Sequence, residues 1–366
     1  MREVRRHLPS SLMLPGTGQR KRGRLAALPA APLSSALLVL VLLLLLSSCS
    51  LNRMAVRMTA NALTSEEGSA AFSSDGDPEL IEDALPFGLK MYESLLAQLP
   101  EHEGLLLTSA EGFVSYSHAF ILTPSNRLGY EDRQEKKAMR ERAKKMFLRG
   151  RDYAMDLLDL RHPGFGEAVR GEEFEEQLRQ TDEKDVEALY WAAAGWMGAI
   201  SASGLDLGMV MEITKPVALM TRAFELDPDF DEGAIHTFFI QIYGSVPAPA
   251  MLYGTTGTGA YVKKTLESYY EGAGADVMKD GEVSEDPETR ARHHLERAVE
   301  LSEGKLASPY VAFASTFPVA NQDAEEYRML LEKALAIDPD EKPEDRLVNV
   351  LDQRTARWML EHIGDK

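Results

Sequence analysis

The sequence predicts an all-α protein built of paired helices, and three observations carry that prediction. Ala, Leu, Glu, Lys, Arg and Met dominate, while alternating β-branched runs are scarce, a vocabulary that favours helix over sheet. Residues 215–243 (KPVALMTRAFELDPDFDEGAIHTFFIQIY) read as helix, tight turn, helix: Val217, Met220, Ala223, Phe224 and Leu226 recur at helical spacing until Asp227-Pro228 stops the run. The same phrase returns at 327–339 (YRMLLEKALAIDP), with a looser closure at Leu301-Ser302. The closures lie 74 residues (301 − 227) and then 37 residues (338 − 301) apart, about two units and one. A helix with one apolar stripe cannot bury it alone, so such units stack. The expected architecture is a compact solenoid of irregular tetratricopeptide-like hairpins with inserted loops.

At the N-terminus, Arg2, Arg5, Arg6, Arg20, Lys21, Arg22 and Arg24 precede an apolar run from Ala36 to Leu46 and then Ser47-Ser48-Cys49-Ser50. Basic, apolar and small residues in that order form an export signal. The run is short for a permanent transmembrane helix. Cys49 is the only cysteine, and Leu46-Ser47-Ser48-Cys49 is similar to a bacterial lipobox. It predicts cleavage before Cys49, lipid attachment there, and a chain anchored at the periplasmic face of the envelope. Ser50 in place of aspartate favours the outer membrane. The competing reading is an uncleaved signal anchor with an incidental cysteine. The organisation that follows is a signal peptide over 1–48, a lipid-anchored segment and linker over 49–77, and a helical domain over 78–366.

Along that domain, Asp77-Pro78 opens a helix whose apolar face runs from Leu80 to Leu96, with a bend or break expected at Pro86. Residues 105–122 form its partner. The charged helix over 131–148 is expected to break at Gly150 and resume over 153–160. Asp182 caps a nearly uncharged helix over 186–200, which should lie centrally, with Gly195 and Gly198 admitting a close neighbour. Asp231 is the expected cap of the helix containing Ala234, Ile235, Phe238, Phe239 and Ile242. A loop over 244–259 and an irregular patch over 271–286 interrupt the array. Pro287 starts the helix ending at Leu301, and Trp358, Met359 and Leu360 close the chain as a cap.

Composition and motifs exclude several chemistries. The formal charge is −18; residues 1–48 hold seven basic residues and one acid, so the remainder carries −24 (−18 − 6), which disfavours nucleic acid. Gly254-Thr255-Thr256-Gly257-Thr258-Gly259 lacks the Lys-Ser/Thr of a phosphate loop and follows no strand. Glu232 and His236 would share a helical face, but HExxH is absent; His293 and His294 point about 100° apart on a helix and cannot chelate as a pair. No cofactor, metal or catalytic grouping is expected. Trp191, Trp196 and Phe238, with Met251, Leu252 and Tyr253 beside flexible glycines, are the candidate lining of a ligand cleft or channel, with core packing as the competing reading.

Five phrases carry a family resemblance: DGDPELIEDALPFGLKMYESLL, ERAKKMFLRGRDYAMDLL, DVEALYWAAAGWMGAI, LDPDFDEGAIHTFFIQIYGS and LVNVLDQRTARWML. Over about residues 55–362 the chain resembles the TatT family, the T component associated with tripartite ATP-independent periplasmic (TRAP) transporters. The resemblance implies a helical body of tetratricopeptide-like hairpins, a cleft or pore through the protomer, and trimerisation as an option. It also implies a periplasmic lipoprotein that associates with the solute-binding P component and helps bring it a small ligand, a hydrophobic one included. It carries no catalytic signature. Tyr190, Trp191, Trp196, Asp227, Gly233, His236, Asn349 and Trp358 match family positions as packing, turn and capping residues. The alternative reading is a generic helical-repeat envelope lipoprotein that binds another protein or lipid.

Overall fold

A computed structural model describes residues 53–171, 173–204, 206–245, 257–274, 277–279 and 281–363. Cys49 and the signal segment lie outside the described residues, as do Met251, Leu252 and Tyr253. The described body is helical, relieved only by a two-residue antiparallel ladder that pairs Met278 with Val283 and Lys279 with Glu282.

The order begins with α1 over residues 53–63 and α2 (Glu66–Ser73). Where a linker was expected, Ser65 caps α2 by accepting from the Gly68 amide. Its Gly- and Ser-rich sequence has no apolar period, so the cap is the one local signal. Next come α3 (Pro78–Leu96) and α4 (Glu103–Ser117), the latter running on through a π turn at His118–Leu122. Asp77 caps α3 as expected. The helix does not break at Pro86.

Helix α5 (Arg133–Arg161) is also continuous, through Gly150. The glycine serves packing: a Cβ there would lie 2.9 Å from the Ala110 carbonyl oxygen and 2.7 Å from Val114 Cγ2, distances that force something to move. Short helix α6 (Phe174–Gln180) precedes a capping box between Asp182 and Asp185, which leads into α7 (Val186–Ser203). Helix α7 packs against α4, α5 and α8 (Thr214–Leu226), with Leu189, Ala192, Ala193 and Ala199 fully buried. Its glycines admit α5 as predicted: a Cβ on Gly195 would meet the Phe147 oxygen at 2.9 Å, and one on Gly198 the Phe147 ring at 2.5 Å.

Helix α9 (Phe230–Ser245) differs from expectation at its start. Asp231, Glu232 and Gly233 have φ of 46°, 52° and 94°, so they form a left-handed bend and Asp231 is no ordinary cap. Gly233 lets the bend approach α11 (Pro287–Leu301), where a Cβ would lie 2.8 Å from Ala298 Cα. Between them α10 (Gly257–Ala273) packs on α8. Helices α12 (Ser308–Ala314), α13 (Ala324–Ala336) and α14 (Arg346–Glu361) end the chain. Met359 is buried, and its carbonyl accepts from the Tyr327 hydroxyl.

The end of the array meets its beginning. Helix α14 packs on α2 and α3, Arg346 donates to the Ser74 carbonyl, and Arg354 forms a forked pair with Glu79. Arg127, after α4, donates to Thr355 of α14. These contacts bring α14 back to the first helices of the body.

Candidate functional site

The inward side of α7 is unusual for a central helix. Glu187, Tyr190, Trp191, Ala194 and Met197 fall on one stripe, and each is only partly buried. On α4, Glu111, Ser115 and His118 make a second stripe open to solvent in part or fully. These groups are reached by water yet poorly hydrated. Burial pushes the Glu111 carboxyl up to about 7, helped by the charges of Glu187 and Asp231. Burial lowers His118, and raises Asp352 of α14 to about 6 against a hydrogen bond from Ser308. Access together with desolvation describes a recess, because an outer surface would hydrate the charges fully.

Aromatic rings meet near the α9 bend. Tyr190 meets Trp191 edge-on at 4.9 Å between ring centroids and tilts against Phe230 at 5.3 Å. The Trp191 indole lowers the Glu187 carboxyl. Glu187 is still raised, chiefly by burial and then by Asp231, with Arg161 and the indole pulling the other way. Asp231 is raised by burial, by Asp345 and by Glu232, and is lowered by Lys342. Tyr190 is raised by burial and by Asp231 and Glu111.

The nearest cations are committed elsewhere. Arg161 pairs with Glu103 at 2.7 Å and Asp185 at 3.2 Å, while Lys342 pairs with Glu232 and with Asp345 at 2.6 Å. Among the described residues Glu111 has neither hydrogen bond nor ion pair. No group of three His, Cys, Asp or Glu among them is placed to hold a metal ion.

A second cluster lies between α9, α10 and α11. The Nδ1 atoms of His236 and His294 are 2.7 Å apart, His294 Nε2 is 2.7 Å from the Tyr270 hydroxyl, and Tyr270 bonds Tyr243 at 2.9 Å. His293 Nε2 contacts the Tyr269 hydroxyl at 2.8 Å. Burial holds both His236, at about 3, and His294 well below the usual imidazole range, so both are neutral. His236 Nε2 faces the Pro228 carbonyl without a full hydrogen bond, at the edge of a small cavity of about 250 Å³.

Of the residues singled out from the sequence, Trp191 lies in the recess. Trp196 is buried on another side of α7, between the Arg151 guanidinium at 4.8 Å and the Lys215 ammonium at 5.5 Å, with its indole N–H unpartnered. Phe238 is partly buried, edge-on to Phe239 at 5.9 Å. The loop trio Met251, Leu252 and Tyr253 lies outside the described residues. Glu232 and His236 do not share a face: the left-handed bend turns Glu232 to Lys342, while His236 meets His294. Glu111, Glu187 and Asp231 are additions from the structure. Glu187 alone had a signal, an acid on an otherwise apolar helix.

Comparison with known proteins gives the family of the chain. A family model described as "TRAP transporter T-component" matches residues 74–261 and 260–365. An uncharacterized protein of Treponema pallidum (strain Nichols) is 26% identical over 337 residues, covering 88% of this chain and 94% of that one.

Proposed function

This chain belongs to the TRAP transporter T-component family, an accessory part of those uptake systems, and from that premise we propose a more specific role. The mature protein begins at Cys49, is lipid-anchored at the periplasmic face, and binds the extracytoplasmic solute-binding protein. It passes a small ligand to that partner by way of the recess along α7.

One observation carries the reading: a central, apolar helix leaves Glu187, Tyr190, Trp191, Ala194 and Met197 open to solvent inside a helical body. A helix packed on three sides normally seals its remaining face, so an open polar–aromatic stripe there favours a ligand path over a solid scaffold. The single cysteine behind a basic–apolar segment supports the anchor, since multiple acyl chains hold a protein far more firmly than one. Catalysis forms no part of the reading, which rests on a family of transporter components. We further propose that residues 78–366 form the functional body, that Trp191 and Phe238 with the 251–253 loop line the ligand path, and that the outer membrane holds the anchor.

The test is capture. A tagged full-length chain, gently crosslinked in cells, is expected to retain the solute-binding component in mass spectrometry, and Cys49→Ala is expected to release it from the membrane fraction. Capture of no solute-binding component would overturn the reading. Co-purifying lipid without that partner would favour the generic envelope-protein alternative.

A further inference from the structure

Helix α1 has two apolar faces, and the body covers only one of them. Val56, Ala60 and Leu63 recur at helical spacing and pack α1 against the core, with Ala60 fully buried. Asn61 Oδ1 lies 2.8 Å from His102 Nε2, which fixes the helix further. The opposite face bears Met54 and Met58, one turn apart and 60% and 66% exposed. Ala55 and Ala62 are exposed on one side of the pair, and Arg53 and Arg57 are exposed on the other. Charge singles out the same place. Residues 49–65 hold these two arginines and no acid, so residues 66–366 carry −26 (−24 − 2). Arginines of the body such as Arg161, Arg292 and Arg354 are bound to Glu103, Glu326 and Glu79. Arg53 and Arg57 have neither ion pair nor side-chain hydrogen bond among the described residues.

What this face meets follows from its place in the chain, an inference that rests on the lipid-anchor reading above. Four residues lead from Cys49 to Arg53, a span of at most about 14 Å. With acyl chains on Cys49 in the bilayer, the start of α1 stays within that reach of the headgroups. A folded domain is about 30 Å across, too thick to sit between α1 and the bilayer. An acidic body is repelled by anionic lipid, and α1 is where positive charge and exposed apolar side chains coincide beside the tether. Methionine, unbranched and flexible, suits an irregular surface of that kind. We propose that the outward face of α1 docks on a bilayer containing anionic phospholipid. Met54 and Met58 enter between the headgroups, and Arg53 and Arg57 pair with lipid phosphates. Anchor and helix together then fix how the body stands on the membrane.

The test uses the full-length chain, purified after maturation and placed in vesicles of phosphatidylglycerol and phosphatidylcholine. With the Cys49 thiol consumed by lipid, Met54→Cys and Met58→Cys each offer one site for a nitroxide label. The same labels on the Cys49→Ala chain, free in solution, give the reference. In vesicles the labels should collide with a neutral, water-soluble nickel chelate at least about three-fold less often than in solution, because an interfacial side chain is screened from water. Vesicles of phosphatidylcholine alone, or Arg53→Gln together with Arg57→Gln, should restore most of the lost collisions. Collision rates in vesicles equal to those in solution overturn the docking and leave the anchor standing. So does shielding that survives both the lipid exchange and the arginine variant. Labels already shielded in the vesicle-free chain would mean that protein covers the face, and they overturn the inference as well. A wild-type chain that takes the label has a free Cys49 thiol; the anchor reading then fails and the docking falls with it.

Discussion

The histidine–tyrosine network between α9, α10 and α11 and the acid–aromatic recess along α7 are made of the same kinds of side chain. Each brings titratable groups among aromatic rings, and in each burial penalises charge. They differ in how that penalty is met. The histidines become neutral and bond to one another and to tyrosine hydroxyls, a chain closed to solvent at His294. The acids stay partly open to solvent, and burial favours their neutral forms, Glu111 most of all with a value of about 7. A satisfied polar network specifies packing; an open, unsatisfied one stores free energy that a ligand can release.

The comparison predicts different responses to mutation. The largest effect is expected from His294→Leu, which strips partners from His236 and Tyr270. Urea unfolding should show a loss of about 2–4 kcal/mol. An unchanged unfolding midpoint would mean that the network holds nothing together. Gly195→Ala comes next at about 1–3 kcal/mol, because the new methyl meets the backbone of α5 rather than a side chain that can rotate. It should also loosen ligand binding, as the helix that carries Tyr190 and Trp191 must shift.

The two regions also titrate in opposite directions. For His236, whose folded value of about 3 lies below the ordinary 6.5, the unfolded chain binds more protons between those values, so stability falls as pH drops through that window. Glu111, at about 7 against an ordinary 4.5, binds its proton more tightly in the folded chain, so stability falls as pH rises from about 4.5 to 7. Glu111→Gln should therefore stabilise the protein at pH 8 by on the order of 1–2 kcal/mol, with the gain vanishing near pH 4.5. A destabilised variant at pH 8 would mean that Glu111 is paired. The smallest effect is expected of Trp196→Phe. It should cost about 1 kcal/mol, as lost ring packing against Arg151 and Lys215 is partly offset by removing an unpartnered N–H.

Much of the fold was legible because it is locally coded. Asp77-Pro78 and Pro287 announce helix starts, and both helices form, capped by Asp77 and by Asp286. The near absence of charge between Leu189 and Ile200 announces the central helix. Local coding also misled. Gly150 reads as a breaker, yet it lies within one helix because α4 presses against it. Glu232 and His236 read as neighbours at helical spacing, and only the tertiary contact of Gly233 with Ala298 accounts for the left-handed bend that separates them. The site was harder to read. His236 and His294 meet across 58 residues, and Glu111 belongs to a helix with no other sign of function. Trp191 and Trp196 look alike in sequence, five residues apart on one helix, yet one faces the recess and the other the core.

The most direct measurement of the central claim is a carbon-detected NMR titration of the Glu111 carboxyl in the intact mature chain, assigned by comparison with Glu111→Gln. An open recess with an unpaired acid predicts an apparent pKa near 7. A carboxyl that titrates near 4.5 would contradict it.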